Sequence, residues 1–170
     1  MFRANRDWTG KLFVSTEDSL ELSEYAKDLT HAFPDVLGLA RGFNQDEPVA
    51  DAIAFHPVIL GFLNGFGRTM LRVASVRLGI SSESQALVTY RAIANVMNRF
   101  GEMDRFEAAI EELSADPTED FLRYQELGIQ FLRAASTSGN QAITDQIRKL
   151  VHHQISALLD EHGLHPIPKH

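Results

Sequence analysis

Residues 56–79, HPVILGFLNGFGRTMLRVASVRLG, are the most apolar stretch of the chain, and their spacing decides the fold. Apolar side chains recur there at intervals of three and four, the period of an α-helix rather than of a half-buried strand. A helix over about 57–79 sorts these residues into faces. Ile59, Leu63, Phe66, Met70, Val73 and Ala74 fall on one side, with Leu60, Phe62, Leu71 and Leu78 on its flanks. Opposite runs a narrow stripe of small or cationic residues: Gly61, Asn64, Gly65, Arg68, Arg72, Ser75 and Gly79. Most of this helix requires burial, so the rest of the chain is expected to pack around it.

Working outward, His56-Pro57 forces a break before the helix, because proline restricts the residue preceding it. A short helix over 49–55 precedes the break. Further upstream, Ser15 or Thr16 caps a first helix whose stripe is Leu22, Tyr25, Leu29 and Phe33, stopped by Pro34. Residues 35–41 read as a short helical turn. Downstream, 79–81 is a corner, and Ser82 with Gln85 forms a capping box. Ala86, Tyr90, Ile93, Met97 and Phe100 then make a buried seam up to Gly101, continued by Met103, Phe106, Ile110 and Leu113. Asp116-Pro117-Thr118-Glu119 reads as a helix start with Asp116 as the cap. Phe121, Tyr124, Gly128, Phe131, Leu132 and Ala135 point inward from it. The last helix carries Ile143, Ile147, Leu150, Val151, Ile155, Leu158 and Leu159 and ends at Gly163. No segment alternates with period two. The expectation is an all-α, single-domain bundle of six or seven helices over 15–163, with an irregular arm at 1–14 and a tail at 164–170.

With 170 residues, 44% of them hydrophobic and 23% charged, the chain can bury a real core. It has no cysteine, which excludes disulfides, thiolate metal sites and cysteine nucleophiles and fits a reducing compartment. The N-terminal residues lack the apolar core of a signal peptide, and no uncharged run reaches the ~20 residues of a membrane span. A cytoplasmic protein that does not enter the membrane is expected. The formal net charge of −7 is unevenly placed. Residues 15–51 and 101–122 are strongly acidic, whereas 52–100 hold five arginines and one acid. Arginine suits partly buried pairing, since its planar fork grips a carboxylate or phosphate at two points.

Four constellations could carry chemistry. The first is the stripe on the long helix. Glycines one turn apart admit the backbone of another helix, and Arg68 and Arg72 beside them could clamp an acidic partner or an anionic ligand. A helix crossing within the chain, a self-associating interface and a ligand site are all compatible with it. The second is the corner ASVRLGIS at 74–81, which resembles the first helix and turn of bacterial helix-turn-helix DNA-binding units. The resemblance implies a support helix over 68–77 and a reading helix over 82–91. It covers about ten residues, and it departs at Gln85, where such units bury an aliphatic residue. The third is the histidine group His152, His153, His162, His165 and His170. It lacks the spacing of a metal helix, since Gly163 lies between Glu161 and His165, so no metal is expected. The fourth is His56, alone in apolar sequence at the break. It could serve a globin-like sensor, but the chain has no histidine between it and residue 152 to act as a proximal haem ligand. A histidine there is more simply satisfied by backbone at the kink.

There is no nucleophile elbow, phosphate-cradling loop or dinucleotide fingerprint. The reading that follows is a non-enzymatic helical regulatory or protein-interaction module, expected as a homodimer, with no cofactor. Gly61, Asn64, Gly65, Arg68, Arg72 and His56 are its candidate ligand- or partner-binding residues. The alternatives are a DNA-binding regulator using 68–91 and a globin-like small-molecule sensor.

Overall fold

The computed structural model describes residues 5–6, 12–13, 24, 27–28, 31–32, 47–78 and 81–164, and of 5–6, 12–13 and 74–78 the backbone alone. The fold is all-α. Among the described residues six helices are bounded: α1 (Asp51–Ala54), α2 (Pro57–Leu78), α3 (Ser82–Val96), α4 (Met103–Ala115), α5 (Glu119–Ala135) and α6 (Gln141–Glu161). Residues 24, 27–28 and 31–32 are also helical. The arm is not wholly irregular: β1 (Asn5–Arg6) and β2 (Leu12–Phe13) pair antiparallel, Asn5 opposite Phe13. The expected stripe and caps of the first helix, the turn at 35–41, Trp8, the corner at 79–80 and the end of the tail lie outside the described residues.

Every residue from Val58 to Gly67 is buried. Helix α2 packs against α1, α3, α4 and above all α5, while α6 packs on α5. Phe62, Phe106 and Phe121 are the largest fully buried side chains, one each from α2, α4 and α5. Phe131 closes the same core, edge-on to Phe62 at 6.1 Å between ring centroids.

The helix ends follow from local chemistry, with three shifts from the sequence reading. Ser81, not Ser82, caps α3: its hydroxyl accepts from the Ser84 N–H at 3.1 Å. Gln85 thus falls a residue beyond the capping position and is buried. Thr118, not Asp116, caps α5 by accepting from the Phe121 N–H, and Asp116 instead closes α4. Phe100 is not part of a buried seam. The seam ends because α3 stops in a Schellman turn, in which the Arg99 N–H reaches the Ala94 carbonyl at 2.8 Å and Asn98 takes φ +54°. This swings Phe100 into solvent, where it is 69% exposed. Helix α6 ends in the same device, with Gly163 at φ +66° and the Leu164 N–H on the Leu159 carbonyl. Val73 and Ile143, both expected inward, are 67% and 47% exposed.

Candidate functional site

The stripe on α2 divides into two halves with different surroundings. The glycine half faces α5 of the same chain. A Cβ built on Gly61 would lie 2.5 Å from the Phe121 carbonyl oxygen, and one on Gly65 would collide with the Gln125 carbonyl oxygen. From the other side, a Cβ on Gly128 would collide with the Phe62 carbonyl oxygen. Gly61 meets Phe121 and Gln125, while Phe62 and Phe66 meet Gly128, so the two helices run in the same direction through the crossing. The three glycines bring backbone against backbone, which explains why α2 tolerates two residues that each cost about 1 kcal/mol against alanine in a helix interior. Gly61 and Gly65 are therefore closed off inside the protomer, and no partner or ligand reaches them. That corrects their place among the candidate contact residues.

The cationic half lies one turn on. Asn64 is 4% exposed, and its Oδ1 has no hydrogen-bond partner among the described residues. Arg68 is half-buried, and its Nε is likewise buried and unpartnered. Such atoms leave about 1–3 kcal/mol of desolvation uncompensated each. Leu71 is fully buried, and then the helix surfaces: Arg72 and Val73 are both exposed. Sequence spacing alone places Arg68 and Arg72 on one face, but only the packing shows that the face leaves the core between Leu71 and Arg72.

His56 is the residue before α2. Its carbonyl accepts from the Leu60 N–H at 2.9 Å, and its Nδ1 accepts from the Val58 N–H at 3.3 Å. The ring therefore caps the helix instead of donating to a backbone carbonyl. Burial pushes its pKa below the ordinary 6.5, with Asp120 and Glu161 pulling the other way and His162 adding to the depression. His56 stands at the opposite end of α2 from Arg72, so the six candidate residues do not converge on one cleft.

Sequence reasoning missed a charged cluster that joins α1 to the corner between α3 and α4. The Val49 N–H donates to the Met97 carbonyl at 2.9 Å, and Arg99 Nε donates back to the Val49 carbonyl at 2.8 Å. Arg99 also pairs with Asp51 and Glu102, and Arg105 pairs with the same two carboxylates. Hydrogen bonds from Arg105 chiefly hold both carboxyls below their usual range. The Phe55 ring lies under Arg105 at 4.5 Å and stacks on Phe106 at 4.5 Å. Asp51 and Arg99 stand forty-eight positions apart, so no local pattern announces them. The i,i+3 pairs Arg99–Glu102 and Glu102–Arg105 are the parts that spacing could have flagged.

Beside this cluster lies a groove of about 630 Å³ between the start of α2, the outer side of α4 and the approach to α5. Phe55, Pro57, Ala109 and Leu113 are its half-buried apolar lining, and Glu112 and Asp116 stand exposed along it.

The reading-helix expectation meets a buried α3. Ser84, Gln85, Leu87, Val88, Thr89 and Tyr90 are all buried, leaving Ser82, Glu83 and Arg91 exposed. His152 and His153 are exposed on α6, and among the described residues no group of histidines and carboxylates is arranged to hold a metal. No described helix is long and apolar enough to cross a membrane. No family model, curated protein or solved structure matches the chain.

Proposed function

We propose that this chain is a non-enzymatic helical interaction module that works as a homodimer, and that the arginine half of the α2 stripe is its contact surface. The observation that carries the reading is the emergence of α2 from the core. A helix buried without interruption from Val58 to Gly67 ends by presenting Arg72 and Val73 to solvent, with Arg68 half-buried a turn earlier. Arg72 and the 67% exposed Val73 follow one another at this exposed end of the helix, and contact surfaces are enriched in arginine and bury apolar area on association. The acidic outer side of α4 offers matching charge on a second copy: Asp104, Glu111 and Glu112 are all exposed. The glycines serve the reading indirectly, by bringing α2 against α5 just before the helix leaves the core.

Light scattering coupled to size exclusion tests this. A dimer is expected at high protein concentration and moderate salt, weakening as salt screens the charged rim. A chain that stays monomeric at millimolar concentration overturns the reading.

A further inference from the structure

The groove beside Pro57 is apolar within, through Phe55, Pro57, Ala109 and Leu113, and acidic at its edge. Glu112 and Asp116 stand one turn apart at the C-terminal end of α4, where the helix dipole already places negative charge. The last turn of α4 contains no basic residue to offset them. Neither carboxylate has an ion-pair partner among the described residues, and the one cation among the lining residues, Arg105, is engaged by Asp51 and Glu102. The end of α6 belongs to the same end of the bundle. Helix α6 packs on α5 and is joined to it by residues 136–140 alone, so it runs back along α5 and ends beside that helix's start. Just before that start, Asp116 and Thr118 line the groove. The charges agree: Glu161 and His162 from the end of α6, like Asp120 from the first turn of α5, act on the His56 ring, one residue before Pro57. Leu164, the last described residue, packs against the core just past the Schellman turn.

From Leu164 the sequence continues as HPIPKH, residues 165–170, outside the described residues. It places Ile167 between two prolines and two residues before Lys169, and it contains no acid. Each proline disfavours helix in the residue before it, so the sequence is suited to an extended strap. At roughly 3.3–3.6 Å per residue, Ile167 can stand up to about 10 Å from Leu164 and Lys169 up to about 17 Å. An aliphatic group for the lining and a cation for the edge are what the groove calls for. We infer that residues 165–170 lie in the groove of their own chain, with Ile167 against Phe55, Pro57 and Leu113 and Lys169 at Glu112 and Asp116. The strap ties the end of α6, which otherwise packs mainly on α5, to α2 and α4. It also covers the groove against any other occupant. Neither contact involves the arginine end of α2, so a monomeric and a dimeric protein carry the strap alike.

Disulfide trapping tests the strap, because the chain has no cysteine of its own. One double variant carries Ala109→Cys and Ile167→Cys, with one thiol in the groove lining and one on the strap. A second carries Ala157→Cys and Ile167→Cys. Ala157 is exposed on α6, about 10 Å from Leu164 along the helix axis, within reach of the segment but outside the groove. Under mild oxidation of dilute protein, the groove pair is expected to close within one chain at least about tenfold faster than the α6 pair, since docking raises the effective concentration of its two thiols. Lys169→Glu added to both should shrink that ratio at least about threefold, because like charges then meet at the groove edge. Equal rates for the two pairs, or an α6 pair that closes first, overturn the strap. A groove bridge formed between two chains, shown by its doubled mass, overturns the segment's own chain as the receiver. A ratio that ignores Lys169→Glu overturns the contact with Glu112 and Asp116. Should Ala109→Cys disturb folding by circular dichroism, Ala108→Cys takes its place, because Ala108 lines the same groove and is exposed.

Discussion

At the scale of single residues, His56 couples the start of α2 to protons. Its Nδ1 can accept from the Val58 N–H only while unprotonated, and its pKa is depressed in the folded chain. The unfolded chain therefore binds the proton more readily, and stability rises with pH across this titration. The contribution is complete above about 6.5, the unfolded value, and is lost as pH falls through the lower folded value. Thermal melts of the wild type should lose stability as pH falls from neutral through and below the ordinary histidine value. The loss should be smaller in His56→Asn, whose side-chain oxygen can cap without titrating. Identical pH profiles for the two proteins would count against the cap. Gly65 makes a second prediction at this scale. Alanine is favoured over glycine in a helix by about 1 kcal/mol. Here, however, the added methyl meets the Gln125 carbonyl, a backbone atom that cannot rotate away. Overpacking of about 1–3 kcal/mol or more should win, so denaturant melts of Gly65→Ala should show a less stable protein. A stabilised variant would mean the crossing is looser than described.

Among elements, the corner between α3 and α4 is held by chemistry distant in sequence. Arg99 is only 10% exposed and ties Val49, Asp51 and Glu102 to that corner. Arg99→Ala should cost about 2 kcal/mol in chemical denaturation, from a charged hydrogen bond and the guanidinium over the Phe55 ring. Asp51→Asn, at an exposed carboxylate, should cost clearly less; equal losses would show that the ion pairs and not the Val49 contact fix the corner. The depressed carboxyls of Asp51 and Glu102 add a second acid-sensitive window. Their contribution is present above their ordinary values of 3.8 and 4.5 and fades as pH falls further, separate from the His56 window. The same corner separates two phenylalanines that look equivalent in the sequence. Phe106→Ala should cost about 3–5 kcal/mol, since it is fully buried and stacked on Phe55. Phe100→Ala should change stability by no more than about 0.5 kcal/mol, because the Schellman turn has already placed its ring in water.

Across the whole molecule, α2 is clamped by α5 at its glycines and capped by His56 at its start, and it carries charge at its far end. The amides of 58–67 should be the slowest to exchange with deuterium, near the limit set by global unfolding. Amides of α6, which packs mainly on α5, should exchange sooner. Faster exchange across 58–67 than in α6 would contradict the arrangement. The uneven charge also acts at this scale. An all-arginine positive block sits between two acidic ones, so the proposed association should respond steeply to salt.

What the sequence determined by itself was local and periodic. The 3.6-residue spacing specified helices, His56-Pro57 specified the break before α2, and Gly163 specified the end of α6, because period and backbone conformation depend on neighbours in the chain. Cap identity was legible to within one or two residues, since Ser81 and Ser82, or Asp116 and Thr118, offer the same hydrogen-bond chemistry. Tertiary structure alone decided what meets the stripe. Gly61 and Gly65 could admit a helix of this chain or of another, and the reply lies in Gly128, sixty-three residues beyond Gly65, whose missing side chain completes the approach. It also decided where α2 leaves the core, turning Val73 outward, and it joined Asp51 to Arg99 and Arg105. Such contacts depend on packing between distant segments, which no local spacing encodes.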